Sequence, residues 1–191
     1  LSGKNSLLVE ASSKALAEAL KIIRPGITLG EIGRTIHSVI SGYGFAPVRN
    51  LSGHGLDQYN IHSKPTIPNF DTKDSTQLSD GQVIAIEPFA TNGAGMVDDG
   101  GNATVFMQIA KKPVRSPITR QVLKHIELYD NLPFAKRWLN EKFGATANLA
   151  IRELLLLNVI KDYAPLVERN NGLVSQAEHT ILVAEKPEIL T

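Results

Sequence analysis

The chain has 191 residues, of which 42% are hydrophobic and 20% charged, which indicates a folded, soluble protein with a real core and excludes a disordered one. With 20 basic and 19 acidic side chains, the net charge of +1 excludes a strong overall attraction to nucleic acid or to an anionic membrane. The lack of cysteine excludes disulfides and thiolate metal sites, which leaves histidine, aspartate and glutamate as strong metal ligands.

The sequence predicts two helices near its start. Between residues 6 and 23, apolar side chains recur three and four positions apart, which is the period of a helix with one buried face, and Pro25 ends the pattern. Thr28 and Glu31 have the spacing of a capping box, which predicts the start of a second helix that Gly42 closes.

Strands and shorter helices are expected after Phe45, where turn residues divide the chain into short segments. Strands are predicted over residues 83–87, over 96–97 paired with 104–109, and over 166–168 and 173–184 flanking a turn at 170–172. Helices are predicted over residues 118–129, 134–143 and 147–160. This order predicts an α+β fold with helices on one face of a curved sheet.

The apolar stretches of the sequence are short. The longest, residues 154–157, cannot span a bilayer, and the first residues lack the layout of a signal peptide. We therefore expect a cytoplasmic protein that binds no membrane. Leu1 stands where a natural chain would begin with methionine, which predicts a piece of a longer protein.

Three side chains are candidate metal ligands. His54 lies between two glycines, Glu87 ends an apolar strand where an unpaired charge would be costly to bury, and Glu178 lies in an alternating extended run. Spacing alone leaves other interpretations open, namely a loop histidine without a role and a solvent-facing glutamate on an edge strand. The residue types suit a hard or borderline divalent ion.

The remaining histidines differ in what surrounds them. His62 follows His54 by eight residues, so its imidazole is expected near the metal or the substrate if the loop folds back. His37 and His125 lie within predicted helices without metal-ligand spacing, and we interpret both as structural or solvated.

Three segments, residues 50–54, 86–91 and 176–181, together resemble the C-terminal metal-ligand motifs of type II methionine aminopeptidases. The resemblance extends over essentially the whole chain, including residues 24–26 and 131–139. It implies the pita-bread fold, an α+β arrangement of two pseudo-symmetric halves, of which this chain would hold the second half and the trailing helix of the first. The implied domains are 1–108 and 166–191 for the catalytic part and 109–165 for the type II helical insertion.

The resemblance also implies roles for individual residues. His54 and Glu87 would bind one metal ion and Glu178 would bridge two, with two aspartates supplied from outside this chain. The cofactors would be two divalent ions, drawn from Co, Mn, Fe and Zn. Glu87 would also shuttle a proton, and His62 would form a hydrogen bond with the scissile amide or its tetrahedral intermediate. The residues implied to face the substrate are His54, Ile61, His62, Pro133 and Phe134.

The implied function is metal-dependent removal of the initiator methionine from nascent proteins. The expected partner is the N-terminal methionine of a nascent polypeptide near the ribosome, with no DNA bound, and the full-length enzyme is expected to be a monomer. With three of five ligands, this chain alone is expected to bind metal weakly and to be inactive. Two alternatives stay open: an X-Pro peptidase of the same fold, and a non-catalytic scaffold that binds ribosome or RNA.

Overall fold

The computed structural model describes residues 3–191 and divides into two compact units. The first unit comprises the chain up to Asp98 together with Val167–Thr191, and the second comprises Asp99–Leu166. The second unit contains the segment 109–165, which the resemblance assigns to a helical insertion, and begins ten residues earlier. Within residues 3–191, no helix combines the length and apolar character needed to cross a membrane.

Two helices begin the chain, strands follow them, and three further helices with one short strand among them precede the last strands. The helices are α1 (Lys4–Leu20), α2 (Leu29–Gly42), α3 (Pro117–Ile126), α4 (Lys136–Phe143) and α5 (Thr146–Leu156), and a short 3-10 turn covers Glu127–Tyr129. The strands are β1 (Ala46–Pro47), β2 (Ser52–Asp57), β3 (Asn60–Pro68), β4 (Val83–Ile86), β5 (Phe89–Thr91), β6 (Val97–Asp99), β7 (Val105–Gln108), β8 (Phe134–Ala135), β9 (Ile160–Tyr163), β10 (Leu166–Glu168), β11 (Val174–Gln176), β12 (His179–Leu182) and β13 (Glu188–Ile189).

The two predicted N-terminal helices are confirmed, together with the cap between them. The Thr28 hydroxyl accepts a hydrogen bond from the Glu31 N–H at 3.3 Å, and the Glu31 carboxylate accepts one from the Thr28 N–H at 3.1 Å. This capping box satisfies two N–H groups that the first turn of α2 leaves free. It fixes where α2 begins.

The core of the first unit lies between these helices and an antiparallel sheet. The sheet has the strand order β13-β12-β4-β2-β3, and β1, β5 and β11 form a second, three-stranded sheet. Fully buried isoleucines from the helix and the sheet share one cluster, among them Ile32, Ile36, Ile40, Ile84 and Ile181. The α+β prediction is confirmed, with both helices packed in the same core as the sheet.

The second unit is built around its own apolar cluster. Strands β8, β7 and β9 form a three-stranded antiparallel sheet, and helices α3, α4 and α5 contribute buried side chains such as Val122, Leu139 and Leu154. Phe134 is also buried there and stacks on Phe106, with ring centroids 6.2 Å apart. The helical character expected for this region is confirmed.

Several predicted pairings and boundaries were wrong. Strand β6 pairs with β10, and β7 pairs with β8 and β9, so the expected pair 96–97 with 104–109 does not form. The run 173–184 is divided between two sheets as β11 and β12. The helix expected over 147–160 ends at Leu156, because Asn158 adopts a positive φ of 50° and Ile160 already belongs to β9.

Candidate metal centre

His54 lies in the middle of β2, between two strands that approach it closely. It pairs with Thr66 of β3 on one side and with Ala85 of β4 on the other. A Cβ atom at Gly53 would lie 2.1 Å from the Ala85 carbonyl oxygen. Glycine at position 53 therefore makes room for the neighbouring strand.

The His54 ring is oriented by its own backbone and faces a carboxylate. Its Nδ1 lies 3.0 Å from the Gly55 carbonyl oxygen, which can only accept a hydrogen bond, so Nδ1 carries the proton in the neutral ring. Its Nε2 lies 3.1 Å from Glu87 Oε1. With the proton on Nδ1, Nε2 carries a lone pair. That lone pair and the Glu87 carboxylate oxygen repel each other at this distance unless a proton or a cation lies between them. The pair therefore fits one side of a cation site.

The two candidate glutamates lie next to each other at the ends of paired strands. Ile86 of β4 pairs with His179 of β12, so Glu87 and Glu178 are the residues just beyond that pair on the two antiparallel strands. The Gln176 side-chain amide donates to Glu87 Oε2 at 2.9 Å and lies 3.3 Å from Glu178 Oε2. One amide group therefore holds two carboxylates of like charge together.

The environment of Glu87 favours the addition of positive charge. Burial raises the pKa of the Glu87 carboxyl, the negative charge of Glu178 raises it further, and His54 and Gln176 oppose the shift only in part. The ionised form of such a carboxyl is destabilised, and binding of a proton or a metal ion relieves this. Both causes are local, because the net charge of the chain is close to zero.

His62 lies on β3 beside His54. The two ring centroids are 4.6 Å apart and the ring planes meet at 82°. The side chains of His62 and its neighbour Ile61 are both exposed, Ile61 at 36%. The expected return of this segment toward His54 is therefore present in the structure, and both side chains are accessible to a ligand.

Pro133 and Phe134 belong to the second unit. Phe134 is only 1% exposed, with its ring stacked on Tyr129 at a centroid distance of 5.6 Å, and Pro133 is partly buried. Both residues therefore contribute first to the packing of their own unit. Their expected contact with a methionine side chain stays a prediction.

Gln176 is the functional residue that the sequence analysis missed. It lies within the segment 176–181 that carries the resemblance, yet its amide received no role. The signal was present, because residues two apart on an extended strand project from the same face and Gln176 precedes Glu178 by two. Its contact with Glu87 requires the pairing of β11 with β5, which aligns Gln176 with Phe89.

The donor set suits a divalent metal ion, although the described residues do not close a full coordination shell. Within residues 3–191, no group of three or more histidine, aspartate or glutamate side chains is arranged to hold a metal. One imidazole and two carboxylates are nevertheless ligands that Mn, Fe, Co and Zn accept. His54, Glu87 and Glu178 would be the part of such a shell that this chain contributes.

Comparison with known proteins decides the family. Residues 2–185 match the sequence model of metallopeptidase family M24. The chain belongs to this family. It is 41% identical to a methionine aminopeptidase of Archaeoglobus fulgidus over 190 residues, which cover 99% of this chain and 64% of that relative. The chain therefore spans slightly less than two thirds of that relative's length.

Solved structures of the family agree on the fold. A thermophilic Arx1 matches with a TM-score of 0.81 at 17% identity, covering 97% of this chain and 56% of that one. The methionine aminopeptidase of Thermotoga maritima matches with a TM-score of 0.60 at 23% identity, covering 100% of this chain and 53% of that one. These likenesses confirm the predicted pita-bread fold of this family, and at such identities they carry the fold alone.

Proposed function

We propose that the complete protein removes the N-terminal methionine from nascent polypeptides by metal-dependent hydrolysis. The observation that carries the proposal is the meeting of His54, Glu87 and Glu178 at neighbouring strands of one sheet, with the first two in contact at 3.1 Å. The relatives named methionine aminopeptidase support the choice of substrate.

His54, Glu87 and Glu178 are the residues that would hold the metal. Two bound divalent ions, Co, Mn, Fe or Zn, would supply Lewis acidity toward the peptide carbonyl and a water that ionises at neutral pH. Ligands from a segment outside this chain would complete the shell. On that ground the 191-residue chain by itself is expected to bind metal weakly and to lack activity.

The residues of this chain would orient the substrate and move the proton. Glu87 would hold a proton at its carboxylate, in the position that Gln176 fixes by its hydrogen bond to Oε2. His62, exposed beside His54, would donate a hydrogen bond to the amide being cleaved. Ile61, which is exposed, would contribute apolar surface for the methionine side chain, and the roles expected of Pro133 and Phe134 stay predictions.

The remaining features of the proposal concern the cell. We place the activity in the cytoplasm, close to ribosomes, where new N-termini are exposed, and we expect the full-length protein to act as a monomer. An X-Pro peptidase activity and a non-catalytic scaffold are less well supported, because the named relatives are methionine aminopeptidases and the candidate ligands are all present.

The test uses the full-length protein and its variants at the candidate ligands. We expect release of methionine from Met-Gly-Met-Met in the presence of manganese or cobalt, and no cleavage of an X-Pro dipeptide. His54→Ala and Glu178→Gln should each lower kcat/KM by about 100-fold or more, because each removes a metal ligand. His37→Ala, on the exposed face of α2, is the matched control and should leave it unchanged. Cleavage of X-Pro peptides instead, or unchanged rates in the ligand variants, would overturn the proposal.

A further inference from the structure

The second unit contains a cavity that the proposed function does not use. It has a volume of about 520 Å³ and lies where α3 and the following 3-10 turn meet the end of α4. Its lining residues are Gln121, Lys124, His125, Glu127, Leu128, Lys142 and Phe143. The volume falls within the range of sites that hold small organic molecules.

Part of the cavity lining is apolar. Leu128 is 70% exposed, so its side chain is accessible to a ligand. Phe143 is partly buried and meets the His125 ring edge-to-face, with centroids 5.6 Å apart. Together they offer an aliphatic and an aromatic surface to a ligand.

The cavity lining also contains cationic side chains. The lining contains two lysines, Lys124 and Lys142, and one carboxylate, that of Glu127. Its net charge is therefore positive even when His125 is neutral. Within residues 3–191, neither lysine forms a salt bridge with a carboxylate. Both helices end here, and the negative ends of their dipoles stabilise the two lysines without neutralising them as a carboxylate would.

His125 forms two hydrogen bonds, one with Lys142 and one with Tyr129. Lys142 Nζ lies 3.1 Å from Nδ1, and because an ammonium can only donate, Nδ1 is the acceptor. Nε2 therefore carries the proton and lies 3.3 Å from the Tyr129 hydroxyl. Of the three N–H donors of Lys142, His125 takes one, which leaves two for a bound acceptor.

From this arrangement we infer that the cavity binds a small carboxylate with an apolar or aromatic body. The carboxylate accepts hydrogen bonds from Lys142, and the apolar body packs on Leu128 and Phe143. A charge-assisted hydrogen bond gives such a site its selectivity for an anion, and the apolar wall gives it selectivity for the body of the ligand. None of the residues that line this cavity is among those proposed for catalysis.

The His125 pKa provides a readout that a passive surface would not give. Burial lowers the pKa of the His125 imidazole, and the positive charge of Lys142 lowers it further. The other charged or titratable groups that line this cavity or contact His125 are Lys124, Glu127 and Tyr129. A carboxylate bound at Lys142 offsets its charge, and the pKa of His125 should then rise toward its ordinary value.

The test measures binding of phenylacetate to the chain by NMR of the histidine rings, with phenylacetamide as the uncharged analogue. We expect a saturable shift of the His125 resonance, an upward change in its pKa, and binding of phenylacetamide weaker by about tenfold, the factor for one charge-assisted hydrogen bond. Lys142→Gln should weaken phenylacetate to the same extent. Lys161→Gln, which removes a lysine above the Tyr163 ring instead, is the matched control.

Each other outcome overturns the inference. Equal binding of phenylacetate and phenylacetamide would show that the charge is not recognised. A shift that Lys142→Gln leaves intact, or the absence of a saturable shift at His125, would place any binding elsewhere. Leu128→Ser serves as a second variant, since an exposed side chain is not needed for folding, and it should weaken phenylacetate without removing the preference for the anion.

Discussion

Glu168 is a buried carboxylate that backbone N–H groups solvate in place of water. It is 3% exposed and accepts hydrogen bonds from Gly95 at 3.1 Å, Asn170 at 2.7 Å and Gly172 at 3.0 Å, and another from Ala94. Burial raises the pKa of the Glu168 carboxyl, but these N–H donors lower it by more, so it lies below its ordinary value. One side chain thus holds the segments that follow β5 and precede β11.

Replacing this carboxylate should weaken the fold in a pH-dependent way. Because the Glu168 pKa is lower in the folded than in the unfolded chain, its contribution is present above the ordinary glutamate pKa and lost as the pH falls through the folded value. Glu168→Gln should therefore lower Tm by several degrees at neutral pH, and the difference from wild type should shrink in acid. Thermal unfolding followed by circular dichroism at several pH values measures this.

The control for that measurement is an exposed glutamate of the same unit. Glu185→Gln changes the same charge on the surface and should leave Tm unchanged at every pH. A constant difference between Glu168→Gln and wild type down to strongly acid pH would contradict the role assigned to the ionised carboxylate.

At the scale of single residues, the sequence indicated the proposed metal ligands but not the side chains that surround them. His54, Glu87 and Glu178 were chosen from local context and a family resemblance, and the first two are in contact. Gln176 and His125 received no functional role. Their surroundings depend on contacts with residues far along the chain, such as Glu87 at 89 residues from Gln176, which no local pattern contains.

At the scale of elements, the close approach of β2 to its neighbours is the feature that holds His54 in place. Gly53→Ala would set a methyl group 2.1 Å from the Ala85 carbonyl oxygen, so β2 and β4 must separate. We expect a loss of about 2–4 kcal/mol in the free energy of unfolding, measured by urea denaturation. In Gly42→Ala no atom lies within 4 Å of the added carbon, so this substitution should not lower the free energy of unfolding. Equal effects of the two substitutions would refute the packing argument.

In the second unit, the cost of a substitution should depend on whether the side chain is buried in the core. Leu139 of α4 is fully buried, so Leu139→Ala should lower the free energy of unfolding by about 2–5 kcal/mol through lost contacts and a new cavity. Leu149 of α5 is 68% exposed, and Leu149→Ala should change the free energy of unfolding by about 0.5 kcal/mol or less. Chemical denaturation measures both, and a large cost at Leu149 would mean that its face is covered in solution.

Elements were easier to predict than their partners. Both N-terminal helices follow from the period of their apolar residues and from one capping box, which are local signals. The pairing of β6 with β10 joins strands nearly seventy residues apart, and the sequence offered the nearer partner β7 instead. The division of residues 173–184 between two sheets could not be predicted either, because an alternating pattern does not indicate which sheet a strand joins.

At the scale of the whole molecule, the fold places chemistry-bearing residues from three distant parts of the chain on one sheet. His54, Glu87 and Glu178 lie on or beside β2, β4 and β12, which are adjacent strands of the five-stranded sheet. Membership of metallopeptidase family M24 supports the use of a divalent metal ion. The chain spans 64% of the length of its Archaeoglobus relative, so the activity has to be measured on the complete protein.

The measurement that tests this account most directly is methionine release by the full-length protein after removal of bound metal with a chelator. Activity on Met-Gly-Met-Met should disappear, return on titration with manganese or cobalt, and saturate as the site fills. Glu178→Gln should shift the titration to higher metal concentration. Methionine release that a chelator leaves unchanged, or that no divalent metal restores, would contradict the assignment of His54, Glu87 and Glu178 as a metal centre.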